Sequence, residues 1–336
     1  MAVFRSKQNP WVYNILNSGY FRDYIFYSNS TQICQLTQDM LKRFIIPLPP
    51  LAEQKRIVSQ IEKLLGYVDI IDTDAETLEK SITLAKQKIL DLAIRGKLVP
   101  QDPADEPASE LLKKIKAEKD ALVKAGKIKK DKHESYIFKG DDNCYHENID
   151  GKVTDITEEI PFDLPESWVW GRLRDIAFFQ NGYAFKSSEI KPTGDVPVIR
   201  ISNLDGSVVS LKQCLFAEQS STLSDFLIKK GDLLIAMSGA TTGKLGIYNN
   251  VQEAYLNQRV GNIKLYCRDE RMLMYRNLII ASQQKNILEM AYGGAQPNIS
   301  GEKICNLPIP LPPLAEQKRI VSQVEKFFSV LETMRG

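Results

Sequence analysis

Histidine is almost absent from this 336-residue chain: only His133 and His146 occur. Both fall in a weakly patterned stretch, so a Ser–His or metal–histidine site inside a folded domain is excluded on counting alone. The five cysteines, Cys34, Cys144, Cys214, Cys267 and Cys305, never approach Cys-x-x-Cys spacing, which argues against a zinc knuckle or a disulfide framework and leaves reduced packing residues. No run of eighteen apolar residues exists, and the start MAVFRSKQNPW lacks the charged-then-apolar pattern of a signal peptide; the expected compartment is the cytoplasm, with no membrane partner. An excess of one charge is missing too, since 44 basic side chains face 42 acidic ones for a net +2. Gly239 to Leu245 (GATTGKL) invites a phosphate-loop reading. That loop needs four residues between its glycines and Ser or Thr after Lys, whereas here there are three and a leucine. No Gly-rich strand-to-helix fingerprint for a dinucleotide or methyl-donor cofactor appears either. The expectation is therefore no cofactor, no metal and no catalytic residue, in a chain 43% hydrophobic and long enough for two or three domains.

What is present is a duplication. Ile46 to Gln60 (IPLPPLAEQKRIVSQ) recurs without a change at Ile309 to Gln323, 263 positions later. Each copy reads as a helix entrance, in which prolines block any preceding helix and Ala, Glu, Gln, Lys and Arg then propagate one. An offset this long is no solenoid period; it implies two copies of a large module, each a globular part feeding a helix. In the first helix Ile57, Ile61, Leu64, Val68, Ile71, Ala75, Leu78, Ile82, Ala85, Ile89 and Leu92 alternate spacings of four and three, the pattern of a coiled-coil seam. The run from Leu51 to Arg95 would span roughly 67 Å at about 1.5 Å per residue, and it predicts a stop at Gly96 with Pro100 beyond. The second helix carries Ile320, Val324, Phe327, Leu331 and Met334 in the same register, a stripe that an ordinary core helix would also show. Gln35-Leu36-Thr37 aligns at the same offset with Asn298-Ile299-Ser300, so the first 45 residues resemble the closing part of a second such domain. Met1 falls opposite Lys264, leaving the first copy without the equivalents of 168–263.

After Val99 the composition shifts. Ser109 to Lys132 holds nine lysines against four acidic residues with helical spacing at Leu111, Leu112, Ile115 and Leu122; a short solvated helix fits, with phosphate contact as the alternative. Tyr136 to Glu166 reads mostly as loop. Trp168 to Pro308 reads as one α+β domain, with strands expected at Val169–Arg174, Val196–Ile201, Asp232–Met237, Leu245–Tyr248 and Val260–Tyr266, and helices at Glu270–Met290 and Ser300–Cys305. Its turns combine backbone-permissive residues with donors suited to bases or phosphates. The candidates are Lys186, Ser187, Arg200, Asn203, Ser238, Thr241, Thr242, Lys244, Asn257, Gln258, Arg259, Gln296 and Asn298. Arg259 is the candidate for a base and Lys244 for a phosphate; an internal ion pair is the competing role for Arg259. Residues 166–313 hold 16 basic and 13 acidic side chains, so net charge does not decide the matter.

Taken together, the duplicated PLPPLAEQKRIV, the AIRGKLVPQDP exit at Ala93 to Pro103, PESWVWGRL at Pro165 to Leu173, GYAFKS at Gly182 to Ser187, and DLLIAMSGATTGKLG followed by AYLNQRV resemble the specificity subunit of a type I restriction-modification system. The resemblance implies an α+β fold with one complete mixed α/β target-recognition domain plus long antiparallel coiled-coil helices. The implied division is a remnant of a first recognition domain over 1–50, a spacer helix over 51–96, a linker or arm over 97–164, a complete recognition domain over 165–310 and a truncated second spacer helix over 311–336. It implies double-stranded DNA, methyltransferase (modification) subunits and motor-nuclease (restriction) subunits as partners, and a chain that is not itself a catalyst. With one complete recognition domain and an unevenly matched pair of helices, a homodimer is a further expected arrangement. The alternative reading is a coiled-coil adaptor whose globular domain binds protein.

Overall fold

A computed structural model describes residues 9–28, 36–131, 133–292 and 298–334, with backbone alone at 9, 27, 28 and 69–75. Two compact units divide after Ile82, inside the longest helix. In the first unit lie α1 (Asn9–Asn17), α2 (Gly19–Ser28), α3 (Gln38–Arg43) and most of α4 (Leu51–Ile94). Trp11, Val12, Phe21 and Phe44 form its small core, with the Tyr20, Phe21 and Tyr24 rings 4.9–5.1 Å from Phe44. The predicted seam runs along α4: Ile82 is buried and Ile57 and Ile61 are half-buried, whereas Leu64, Val68 and Leu78 are exposed. The Ile71 and Ala75 side chains lie outside the described residues, as do Cys34 and Gln296.

The second unit begins with the last turns of α4, which end where the sequence predicts. Gly96 takes φ +65°, and the Lys97 amide donates to the Leu92 carbonyl at 2.9 Å while that of Gly96 donates to Ala93 at 3.3 Å, the two bonds of a Schellman cap that needs a residue tolerant of positive φ. Next comes α5 (Ala108–Lys124), which buries Ala108, Leu111 and Ile115. Its Lys113, Lys114, Lys116 and Lys119 pair with Glu110, Glu106, Glu134 and Asp131, so much of the lysine run is a carboxylate-balanced surface.

The stretch read as loop is instead an antiparallel sheet of β1 (Ser135–Lys139), β2 (Tyr145–Ile149) and β3 (Lys152–Asp155). Its pattern is faint because the buried position of β2 is a charge. Glu147 lies 4% exposed between Arg172 and Arg174, and β3 is exposed throughout. The two-residue turn Asp150-Gly151, with φ +50° and +89°, is a hairpin signal available in the sequence.

Beyond the arm come β4 (Val169–Arg172), α6 (Leu173–Ile176), β5 (Ala177–Asn181), β6 (Val196–Ile199), β7 (Leu215–Ala217), β8 (Leu227–Ile228), β9 (Leu233–Ala236), β10 (Leu245–Ile247), β11 (Ala254–Leu256) and β12 (Val260–Leu265). The helices α7 (Glu270–Ser282), α8 (Gln284–Tyr292) and α9 (Gly301–Cys305), strand β13 (Pro308–Leu311) and α10 (Leu314–Thr333) follow. Where one helix was expected over Glu270–Met290 there are two, because Gln283 leaves the helical conformation at φ −88°, ψ 2°. One sheet, ordered β10-β9-β12-β5, is antiparallel throughout; the other, β7-β6-β11-β8, contains the parallel pair β6–β11. Alternation along β9 shows how they stack. Leu233 and Ile235 pack into the core shared with the helices, and Leu234 and Ala236 pack with Ile199, Leu256 and Val260 toward the second sheet.

The duplication extends well beyond the identical segment. Shifted by 263, α7, α8 and α9 fall on α1, α2 and α3. Thr37 caps α3 by accepting from the Met40 amide, and Ser300 caps α9 from Lys303, each at 3.2 Å. The equivalent of β13, however, is not a strand at Ile45–Leu48. In α10, Ile320 and Val324 are buried and Leu331 is half-buried, but Phe327 is 40% exposed and Phe328 packs on the core in its place. Lys86 of α4 pairs with Glu332 and lies over Phe328, while Gln101 beyond the end of α4 reaches Glu316. The last turns of α4 and α10 therefore run antiparallel.

Candidate nucleic-acid interface

Four turns leave the two sheets at one edge. Strands β5 and β9 both run antiparallel to β12, and β6 runs parallel to β11, so the ends of all four point the same way. From them emerge the turns carrying Lys186, Arg200, Lys244 and Arg259. Backbone bonds join these turns into one rim. The Gln258 amide donates to the Tyr183 carbonyl at 2.8 Å, Asn257 to Ile199 at 3.0 Å, Met237 to Arg259 at 2.9 Å and Ile299 to Met237 at 3.1 Å, and Ser238 bridges Asn298. Under the Lys186 turn the Tyr183 ring contacts Phe185 and Phe226 at 4.9 and 5.2 Å.

Within the rim the candidates separate by burial. Lys186, Ser187, Lys244, Gln258, Arg259 and Asn298 are exposed, and Arg200, Ser238, Thr241 and Asn257 are half-buried. Among the described residues none of Lys186, Arg200, Lys244 and Arg259 has a carboxylate partner, whereas Arg172, Arg174, Arg268 and Arg271 of the same unit do. Among the described residues the internal ion pair weighed for Arg259 does not occur. Two buried atoms of the rim, Arg200 Nε and Thr241 Oγ1, have no hydrogen-bond partner among the described residues. Unpaired cations and unspent polar atoms on one surface suit a ligand that brings negative charge and acceptors of its own.

Two candidates do not face outward, and their assignment is corrected. Asn203 is 3% exposed; its Oδ1 accepts the Arg200 amide at 3.0 Å and its Nδ2 donates to the Ser210 carbonyl at 3.0 Å. Thr242 is 2% exposed, with Oγ1 donating to the Gly239 carbonyl at 2.6 Å. Both are buried and fold their turns rather than facing a ligand. The Gly239–Gly243 segment is a hairpin turn between β9 and β10, with no helix following it to receive a phosphate.

Gly182 opens the GYAFKS motif but is not among the candidate contact residues. A Cβ there would lie 2.1 Å from the Asn257 carbonyl oxygen and 2.6 Å from that of Leu256, so the absence of a side chain lets the β5 turn close onto the β11 turn. Gly182→Ala is expected to open this joint at a cost of about 1–3 kcal/mol and to weaken ligand binding at the rim. Calorimetric melting together with binding checks this; an unchanged melting temperature would show that the joint yields freely.

The matches to known proteins follow the same outline. The family described as type I restriction modification DNA specificity domain matches residues 4–80 and 165–336, leaving the last turns of α4 and the arm between them. The EcoAI type I restriction enzyme specificity subunit of Escherichia coli is 30% identical over 86% of this chain and 54% of its own length. The MjaVIII specificity subunit of Methanocaldococcus jannaschii is 25% identical over 93% of this chain and 64% of its own. The chain spans about half the length of the Escherichia coli relative. A solved chain, from work on complex assembly and conformational transition of the type I R-M system, superposes with a TM-score of 0.66 at 17% identity, over 99% of this chain and 67% of that one; it shares the fold.

Proposed function

The chain belongs to the type I restriction-modification DNA specificity family, and from that premise we propose that it recognises a DNA sequence through the rim of residues 182–203, 238–244, 257–259 and 298. The observation that carries this reading is the convergence, on one edge of two stacked sheets, of four cations that have no carboxylate partner among the described residues. In this role residues 165–310 are the recognition domain, 51–96 and 311–336 the spacer helices, 97–164 an arm, and 1–50 the closing part of a first recognition domain. The chain itself is non-catalytic: methyltransferase subunits held by the helices modify the DNA, motor-nuclease subunits join through the complex, and the site of action is the cytoplasm. The exposed stretch Leu64, Leu65, Tyr67 and Val68, each 50–55% exposed, supports partner contact along α4. A two-fold second copy meeting there would read an interrupted palindrome.

The test is binding to duplex DNA selected from a random pool with the methyltransferase subunits present. One sequence should emerge, and affinity for it should fall with salt at a logarithmic slope of about −3 if Lys186, Arg200 and Lys244 each neutralise one phosphate while Arg259 reads a base. A pool that yields no consensus, or a slope near zero, would remove DNA recognition by this rim.

A further inference from the structure

The duplicated segment has one sequence and two different surroundings. At the second site Glu316 is fully buried, accepting the Trp168 indole N–H at 2.9 Å and the Gln101 amide at 2.7 Å. Arg319 forks onto both carboxylate oxygens of Asp105, and β13 pairs with β4 residue by residue, Pro308 with Arg172 through to Leu311 with Val169. At the first site Glu53 and Arg56 are exposed, and their side chains have no hydrogen bond or ion pair among the described residues. Among the described residues no strand pairs with 45–48; Leu48 stands 65% exposed against 1% for its counterpart Leu311, Ile46 is half-buried where Ile309 is 0% exposed, and Ile45 and Leu51 are exposed at 78% and 56%.

The framework beneath is nonetheless set alike. Gln54 donates to the Pro49 carbonyl at 2.8 Å as Gln317 does to Pro312 at 3.1 Å. The Pro47 carbonyl accepts the Trp11 indole N–H at 2.9 Å, and the Pro310 carbonyl accepts the Tyr275 hydroxyl at 3.2 Å. The first site is thus preformed, and what differs is its cover.

We propose that Ile45 to Arg56 is a docking surface for a second specificity-type polypeptide, which lays a tryptophan-bearing strand of the Pro165–Arg172 kind antiparallel to 45–48. Complementarity identifies the occupant. The Glu53 carboxylate calls for neutral N–H donors that can be buried with it, Arg56 for a carboxylate, and the bare backbone edge for a strand. Nucleic acid fits poorly, because its phosphates would meet Glu53. Another molecule of this same chain already uses its Trp168, Gln101 and β4 at its own second site, so covering a first site with them would only uncover a second.

The probe is the labelled peptide PESWVWGRL, residues 165–173, titrated with the full chain. Saturable binding in the micromolar range is expected, weakened about tenfold by Glu53→Ala in the chain or by replacing the first tryptophan of the peptide with alanine, and abolished by Leu48→Asp. Both chain substitutions fall at exposed positions, so melting should be unchanged. Absence of binding at millimolar peptide, or binding indifferent to Glu53→Ala and Leu48→Asp, overturns the proposal. So does a wild-type homodimer that Leu48→Asp converts to monomer, which would make a second copy the occupant.

Discussion

Arg172→Met is expected to destabilise the second unit by about 3–5 kcal/mol, because it leaves a buried carboxylate with half of its partners. Arg172 is 6% exposed; its Nε and Nη2 both donate to Glu147 Oε2, at 3.2 and 2.5 Å, and its Nη1 donates to Glu159 at 2.7 Å and to the Asn306 carbonyl at 3.0 Å. Glu147 is as deeply placed and, when Arg172 is gone, retains Arg174 Nη2 at 2.8 Å and the hydrogen bond of Ser135. For a unit of this size the loss corresponds to roughly 6–20 °C in melting temperature. The pH dependence follows from Glu147. Burial pushes its carboxyl up, but the hydrogen bond and charge of Arg172 and the charge of Arg174 outweigh burial and hold it below the ordinary glutamate range. A carboxyl depressed in the folded state contributes stability that is present above its unfolded value, about 4.3, and is lost as pH falls through the folded value. The gap between wild type and Arg172→Met should therefore be widest near neutral pH and narrow below about pH 4. Urea denaturation at both pH values measures it, and Arg172→Met/Glu147→Leu should recover much of the loss. Equal stability of wild type and the single variant at pH 7 would mean that the arm is not held by this pair.

That pair also marks where the sequence becomes hard to read. A seam of eleven apolar positions and a glycine stop define α4, because a long helix repeats one signal many times and each repeat carries the same message. The arm sheet offers three strands of four or five residues whose buried anchor is Glu147, so hydrophobic alternation, the only periodic signal a strand has, is broken at the position that matters. Strands β7, β8 and β11 are two or three residues long, too short to show any period. Strand β13 was hidden by its prolines. Prolines at alternate positions are nonetheless compatible with a two-stranded sheet, which asks an N–H of only every second residue.

The rim was legible as a set of turns and not as a surface. Polar residues in a turn either hold the turn or face outward, and composition does not separate the two. Asn203, three residues after Arg200, has the spacing of a cap that folds back on the preceding amide, a signal that distinguishes it from Lys186 or Gln258. Glu316 was invisible as a buried group because its donors, Gln101 and Trp168, are brought to it only by the fold. The offset of 263 was the most informative quantity in the chain: it marked the first 45 residues as the closing part of a second domain and, applied to the structure, aligns α1, α2 and α3 with α7, α8 and α9.

Arg259→Ala and Lys244→Ala are expected to damage DNA recognition in different ways, although both residues are exposed cations of one rim. Arg259 lies in the short β11–β12 turn with its backbone fixed, its carbonyl accepting the Met237 amide at 2.9 Å and its amide facing Asn257 Oδ1 at 3.4 Å. A guanidinium projected from so constrained a turn can present its planar donor fork to a guanine edge, worth roughly 1–3 kcal/mol of discrimination against the wrong base. Lys244 stands at the exit of the β9–β10 hairpin, exposed, with backbone bonds to Thr241 and Ala236. An ammonium on a flexible stem suits a phosphate, which positions the complex without carrying sequence information. Arg259→Ala should therefore relax preference at one base pair by about tenfold or more and leave affinity for unrelated DNA little changed. Lys244→Ala should weaken all sequences about equally and reduce the logarithmic salt slope by about one. Because neither side chain has an internal ion pair among the described residues, both variants should melt like wild type. Competition binding across all single-base variants of the selected target, at two salt concentrations, separates the roles. Unchanged base preferences in Arg259→Ala together with a lowered melting temperature would make that residue a structural one, and a Lys244→Ala defect confined to one base pair would exchange the two assignments.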